Sequence, residues 1–322
     1  MRIAFCHHNK LSYGAGGEVL LANLAKYLAS RGHKVSIHSL PIIQDKRAIG
    51  MMPELPSDIP YHEGVFDRID ADIAYVVFAP LLERFFNFNV EKKIAAIYSH
   101  HIAFRDSRDA QTPTKLAVLI HKMLGDSQFE KYDAVHIINR STKVKHSHLY
   151  FIEDPFDENT FKPCAPRLTK FSVLYANRHN KVKGWDIFVA LSRRLGQEID
   201  FYYTGKDENL GSAIALGTVG GAKEMAELYS KVHVLISPSR LDTFGNVIVE
   251  SMMCNTPVIT TRMHEFLDLP LFYADTLQQY EEQINSLHIN YGDMDVRQYA
   301  LKYSLRSLGN KYENMFKEVL SG

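Results

Sequence analysis

Short runs of consecutive apolar residues recur along the chain, and most are followed by a segment whose apolar positions return every three or four residues. "RIAFCHH" (residues 2–8) reads as a buried strand. "GGEVLLANLAKYLASRG" (16–32) then carries apolar residues at helical spacing and stops at Gly32. "KVSIHSL", "DIAYVVFA" and "KIAAIYS" follow as strands, "TPTKLAVLIHKMLG" (112–125) as a helix, and "DAVHIINR" and "LYFIED" as further strands. After an aperiodic stretch the alternation restarts. "KFSVLYANR" is read as strand, "GWDIFVALSRRLG" as helix, "IDFYYTG" as strand, "AKEMAELYSKV" as helix and "VHVLISP" as strand. "NVIVESMM" and "PVITT" give one more helix and strand, and residues 296–322 read as helical. Strand–helix alternation of this kind predicts doubly wound, mostly parallel α/β sheets.

Residues 153–167, "EDPFDENTFKPCAPR", hold three prolines and no periodicity. The expected organisation is therefore a first Rossmann-like domain over 1–153, a linker and hinge over 154–166, and a second Rossmann-like domain with tail helices over 167–322. A cleft between the two domains is expected. A length of 322 residues suits two domains, and an apolar share of 46% supplies a core for each.

Composition narrows the function classes. Lys plus Arg and Asp plus Glu both number 37, so no overall field attracts polyanions, and a nucleic-acid partner has no support. Cys6, Cys164 and Cys254 show no paired spacing, which argues against a disulfide framework or a cysteine zinc site. No apolar run approaches a membrane span or a signal peptide. The expected location is the cytoplasm. A peripheral contact at the cytoplasmic membrane face is compatible with the basic, apolar character of 112–125, although a packed helix is the plainer reading.

In parallel sheets ligands bind beyond the carboxyl ends of the strands. "GAGG" (14–17) falls there, as do His7 and His8, His100 and His101, Arg178 with Lys183, Gly205, and the stretch from Asp242 to Glu250. A glycine turn opening a helix presents backbone N–H groups beside the positive end of the helix dipole, which suits phosphate. Gly245 provides one such turn, and Gly16 and Gly17 another. Arg178 and Lys183 would add full charges to a diphosphate. Asp242 and Glu250 repel phosphate but accept hydrogen bonds from sugar hydroxyls. Diphosphate and sugar ends together describe a nucleotide sugar. The plainer alternatives are an N-cap role for Asp242, solvated positions for Glu250, Arg178 and Lys183, and cleft-lining roles for the histidines. "DAD" (70–72), "DMD" (293–295) and the His146–His148 pair are not read as metal sites.

The same residues resemble the retaining glycosyltransferases of family 4 (glycosyl transferases group 1), which have the GT-B fold of two facing Rossmann-like domains. "DTFGNVIVESMMCNTPVIT" is similar to the family's Glu-x7-Glu element, with Asp242 for the first Glu and Asn255 for the usual Gly. "NRHNKVKGWD" is similar to its Arg–Lys–Gly element, "FIEDPFDENTFKP" to its linker, and residues 1–37 to its opening. The resemblance implies a hexosyl transfer from a UDP- or GDP-sugar to a glycan, lipid-linked or other hydroxyl acceptor, with no metal or other cofactor. It implies Arg178, Lys183, His100 and Asp242 as catalytic groups. Donor contacts would come from Gly16, Gly17, Gly205, Phe244, Gly245, Asn246, Val247 and Glu250, with Glu250 on the ribose. His101, His7 and His8 fall on the acceptor side. A nucleotide-sugar epimerase and a non-catalytic partner subunit are the competing functions.

Overall fold

The computed structural model describes residues 1–13, 16–40, 55–65, 68–77, 83–98, 119, 122–292 and 294–322. The chain divides into two compact units, residues 1–155 with 305–322, and residues 156–304. Each is an α/β layer structure around its own parallel sheet, as the alternation predicts.

In the first unit β1 (Arg2–His7) leads to helix α1 (Gly16–Ser30), followed by β2 (Lys34–Ser39), β3 (Tyr61–Glu63), β4 (Arg68–Val77), β5 (Asn87–Ile97), β6 (Ala134–Ile137) and β7 (Leu149–Phe151). The sheet order is β3-β2-β1-β4-β5-β6-β7, and every neighbouring pair is parallel. β1 is buried from Ile3 to His7, the continuous burial that a sheet covered on both faces requires. Helix α1 turns Leu20, Leu21, Leu24, Ala25 and Leu28 inward. The strand order reverses between β1 and β4, so the ligand edge of this sheet lies at the end of β1.

The second unit comprises β8 (Ser172–Tyr175), α2 (Trp185–Leu195), β9 (Asp200–Tyr203), β10 (Ile214–Ala215), α3 (Ala222–Lys231), β11 (Val234–Ser237), α4 (Asn246–Met253), β12 (Val258–Thr260), β13 (Phe272–Tyr273) and α5 (Leu277–Asn290). Its order is β10-β9-β8-β11-β12-β13, again parallel throughout. Here the reversal falls between β8 and β11. α5 was not read from the sequence, although Thr276 and Gln279 form a reciprocal capping box at its start.

Two boundaries differ from the sequence reading. Residues 156–166, expected as linker, are built into the second unit. Phe156 and Phe161 are buried, and the Arg297 guanidinium donates to the carbonyls of Phe161 (2.6 Å) and Glu158 (3.0 Å). The tail, expected with the second domain, breaks at Ser304, and the helix Leu305–Ser321 belongs to the first unit. Phe316 meets Phe5 and Tyr75 edge-on, and the Tyr27 hydroxyl donates to Asn310 at 2.9 Å. Glu313 is 5% exposed. Lys317, Arg31 and His33 hold its carboxyl down to about 2 against burial.

Candidate active site

The reversal point of the second sheet gathers most of the residues singled out in the sequence. β8 ends in the buried Tyr175, whose hydroxyl shares its proton between the carbonyls of Arg178 (2.8 Å) and Lys183 (3.1 Å). Asn180 caps the short 3-10 turn Lys181–Lys183, its side chain accepting the Lys183 N–H at 2.9 Å. Gly184 follows at φ 74°, and a Cβ there would lie 2.1 Å from the Pro238 carbonyl oxygen. Only glycine permits that approach. It seats the turn against the exit of β11, and the Arg240 N–H donates to Val182 at 2.7 Å to fix the contact.

Lys183 and Asp242 are thereby brought together. Nζ lies 2.6 Å from Oδ2, with each side chain 13% exposed. The other carboxylate oxygen, Oδ1, accepts the Thr243 N–H at 2.9 Å. Burial alone would raise the Asp242 pKa, but the Lys183 charge and His264 outweigh it and hold the carboxyl well below the usual range. Asp242 is therefore ionised at neutral pH and is not an N-cap: Gly245 occupies that position of α4 and no side chain caps it. Gly245 has φ 96°, and a Cβ on it would come 2.9 Å from the His264 ring. The start of α4 is left bare, with Asn246 and Val247 partly exposed in its first turn. The Phe244 side chain, by contrast, is buried among Phe156, Phe266 and Tyr303, so only its backbone can face a ligand.

Glu250 stands one helical turn beyond Asn246. Its Oε2 accepts a hydrogen bond from the buried Tyr229 hydroxyl at 2.9 Å. Burial pushes the carboxyl up to about 7, and Tyr229 opposes part of that rise. Gly205, at φ 98° beyond β9, packs beside the 178–184 turn: a Cβ there would be 3.3 Å from His179 Nε2, and that ring stacks on Trp185 at 4.0 Å. Arg178 is exposed. Asn255, where a glycine was expected, keeps a left-handed φ of 63°. Its Oδ1 accepts the Val296 and Arg297 N–H groups at 2.9 and 3.1 Å, an anchorage glycine would lack.

His264 was missed in the sequence. It is fully buried, and its Nε2 lies 3.6 Å from Asp242 Oδ2. It follows β12 by four residues, so the rule that located the other residues also covered it.

The first unit holds a separate cluster at the end of β1. His7 Nδ1 accepts the Asn9 N–H at 3.1 Å and lies 3.5 Å from Glu18 Oε1, which accepts from Asn9 Nδ2 at 3.0 Å. Burial lowers the His7 pKa despite the Glu18 charge. Burial and the neighbouring His7 hold His8 well below its ordinary value, with ring centroids 4.5 Å apart. Gly16 opens α1, and Gly17 faces His7: a Cβ on it would lie 3.8 Å from Nε2. His100, His101 and Gly14 lie outside the described residues. Among the described residues, no group of three or more acids, histidines and cysteines has the arrangement of a metal site. Asp70 is taken up by Arg68 and Asn89, and Asp72 by Arg2.

Residues 170–281 match the family model of glycosyl transferases group 1. The match covers about a third of the chain. It spans the unit from β8 into α5 and so contains the Lys183–Asp242 pair and Glu250. The whole chain has the GT-B fold. Sucrose-phosphate synthase from Thermosynechococcus elongatus superposes with a TM-score of 0.75 at 16% identity, over 99% of each chain. Anabaena HepE in complex with UDP and glucose superposes at 0.69 with 13% identity, over 99% of this chain and 100% of that one. Among curated relatives, the D-inositol 3-phosphate glycosyltransferase of Arthrobacter sp. (strain FB24) is 31% identical over 113 residues. That match takes in 29% of this chain and 27% of the relative, about a quarter of its length. No described helix is long and apolar enough to cross a membrane.

Proposed function

We propose that the protein is a retaining glycosyltransferase that moves a hexosyl group from a UDP- or GDP-sugar to a hydroxyl acceptor, without a metal. The observation that carries this reading is the Lys183–Asp242 pair beside the uncapped start of α4, at the strand reversal of the second sheet. It unites an anion-binding turn, a cation and a hydroxyl acceptor in one place. The HepE complexes with UDP and UDP-glucose on the same fold support the same donor class, and the glycosyltransferase name of the curated relative supports glycosyl transfer.

In this reading the first-turn N–H groups of α4, from Gly245 to Val247, take the diphosphate together with Arg178 and Lys183. Gly205 leaves room beside them. Asp242 accepts hydroxyls of the donor sugar through the lone pair of Oδ1 that Thr243 does not use. Glu250 accepts from the ribose and is aimed by Tyr229. As the glycosidic bond breaks, negative charge gathers on the leaving phosphate oxygen, and cations already in place stabilise it most at that point. On the first unit Gly16 and Gly17 keep their roles as donor contacts and His100 its role as a catalytic group, and His7, His8 and His101 are assigned to the acceptor side. A glycan, a lipid-linked sugar or another hydroxyl compound fits the acceptor class, and a cytoplasmic location with peripheral membrane contact belongs to the same proposal.

Mass spectrometry of products from a panel of UDP-, GDP- and ADP-sugars tests the reading, with NMR of the new linkage reporting retention. Isomerised donor formed without acceptor would instead indicate an epimerase. Binding with neither hydrolysis nor transfer would indicate a partner subunit.

A further inference from the structure

Cys164 and Cys254 stand far apart in the sequence, yet the second unit packs their stretches of chain side by side. Two guanidinium groups hold those stretches together. Arg297 Nη1 donates both to the Phe161 carbonyl, at 2.6 Å, and to the Met253 carbonyl. Arg167 Nη2 donates to the Asn255 carbonyl at 2.5 Å, and its Nη1 to the Thr256 hydroxyl at 2.9 Å and the Ser230 carbonyl at 3.2 Å. Residues 161–167 are thus tied to 253–256 at two points, and each stretch holds one cysteine between its anchors. Ser230 lies against both. Its hydroxyl accepts the Cys164 N–H at 3.1 Å and lies 3.5 Å from Cys164 Sγ. The same hydroxyl is a hydrogen-bonding neighbour of the Cys254 thiol, and Cys164 is among the groups close enough to act on that thiol. Both cysteines are free; Cys164 is exposed and Cys254 is buried.

We propose that Cys164 and Cys254 are an oxidation site: a peroxide converts them to a reversible disulfide that staples the second unit. The exposed Cys164 sulfur attacks one peroxide oxygen, the O–O bond breaks, and Cys164 becomes a sulfenic acid while the other oxygen leaves as water. The Cys254 sulfur then attacks Cys164 Sγ. The S–O bond breaks, and the hydroxyl leaves as water with the Cys254 proton. In all, two thiols lose two electrons and two protons, and one hydrogen peroxide becomes two waters. Burial, with Cys164 and Glu250 adding to it, pushes the Cys254 thiol up to about 12, so this sulfur resists oxidant on its own and acts second. The loop closed from 164 to 254 contains Arg178, Lys183, Gly205, Asp242 and Glu250, all of them candidate donor-site residues. A bond across so long a stretch restricts the unfolded chain and so favours the folded unit. Cys6, buried in β1 of the first unit, takes no part.

Treatment of the full chain with hydrogen peroxide, then alkylation in denaturant and peptide mass spectrometry, reads the link directly. A peptide pair joining Cys164 to Cys254 is expected, with Cys6 alone alkylated and the link undone by dithiothreitol. Urea unfolding followed by the fluorescence of Trp185, the single tryptophan, reports on the second unit. The oxidised protein should unfold at a midpoint about 1–2 M higher than the reduced one, the scale set by closing a long loop. Cys164→Ser should show neither link nor shift. In Cys254→Ala, Cys164 should go on to the sulfinic acid, having no thiol to resolve it. The wild-type peptide map decides the matter even where a variant fails to fold. A wild-type Cys164 that ends as sulfinic acid, or that joins Cys164 of a second molecule, overturns the proposal. So does a linked protein whose midpoint does not rise. Neither readout depends on nucleotide binding.

Discussion

Replacing Glu250 by Gln should stabilise the free protein while weakening its hold on nucleotide. The carboxyl is raised from 4.5 to about 7, first by burial, with the Tyr229 hydroxyl opposing. The folded state therefore binds this proton more tightly than the unfolded chain does. Its contribution to stability is fully present below the ordinary carboxylate range and is lost as pH rises through about 7. At 1.36 kcal/mol per pH unit the full rise corresponds to at most about 3 kcal/mol, and with Glu250 still partly open to solvent about 1–3 kcal/mol is expected. Gln keeps the shape and an acceptor for Tyr229 but never ionises. Urea unfolding at about pH 5 and about pH 8 should thus give near-equal stability at the lower pH and a more stable variant at the higher one, by roughly that amount. Nucleotide affinity at about pH 8 should fall by about 1–2 kcal/mol, since a charged acceptor for the ribose becomes a neutral one. Parallel stability curves for the two proteins across this range would refute the reasoning, because Glu250 would then not be ionising against its surroundings.

Other substitutions probe the rest of the site. Arg178→Ala and Lys183→Ala should each lower kcat by roughly 10- to 150-fold with a smaller change in donor KM, and the double variant should be non-additive; steady-state kinetics decides, and normal values in both would remove these residues from the chemistry. Lys183→Ala should also strand the Asp242 carboxylate, so Lys183→Ala with Asp242→Asn should be more stable than Lys183→Ala alone in thermal unfolding. Gly184→Ala should cost well over about 1 kcal/mol in stability, because the new Cβ meets the Pro238 carbonyl at a left-handed φ; retention of wild-type stability would contradict the seating of the turn. Transfer should persist in excess EDTA, with Arg178, Lys183 and the start of α4 supplying the positive charge. Loss of activity restored by magnesium or manganese would count against that assignment.

Much of this arrangement was legible in the chain. The change from consecutive apolar runs to helical periodicity located the strands, and residues just beyond their carboxyl ends carried the candidate chemistry. Lys183 and Asp242 were both found this way, but as partners of different parts of a ligand. Their contact with each other depends on Gly184 lying against Pro238 and on Arg240 reaching Val182, which no local pattern reveals. His264 obeys the same edge rule and was passed over because the reading stopped at "PVITT". The tail was misplaced for a different reason. Periodicity says that Leu305–Ser321 has an apolar face, but not which sheet that face covers; Gly309 against Tyr27 and Glu313 beside Arg31 decide it.

That last placement shapes how the polypeptide can be made. The second unit is one uninterrupted stretch, 156–304, whereas the first is assembled from two stretches separated by all of it. A nascent chain can complete the 156–304 unit as a local event, but the sheet begun at Arg2 keeps Phe5 and Tyr75 without Phe316 until the last helix has been synthesised. The same layout makes 156–304 the segment suited to separate expression, while a fragment ending at 155 lacks one of its own core helices.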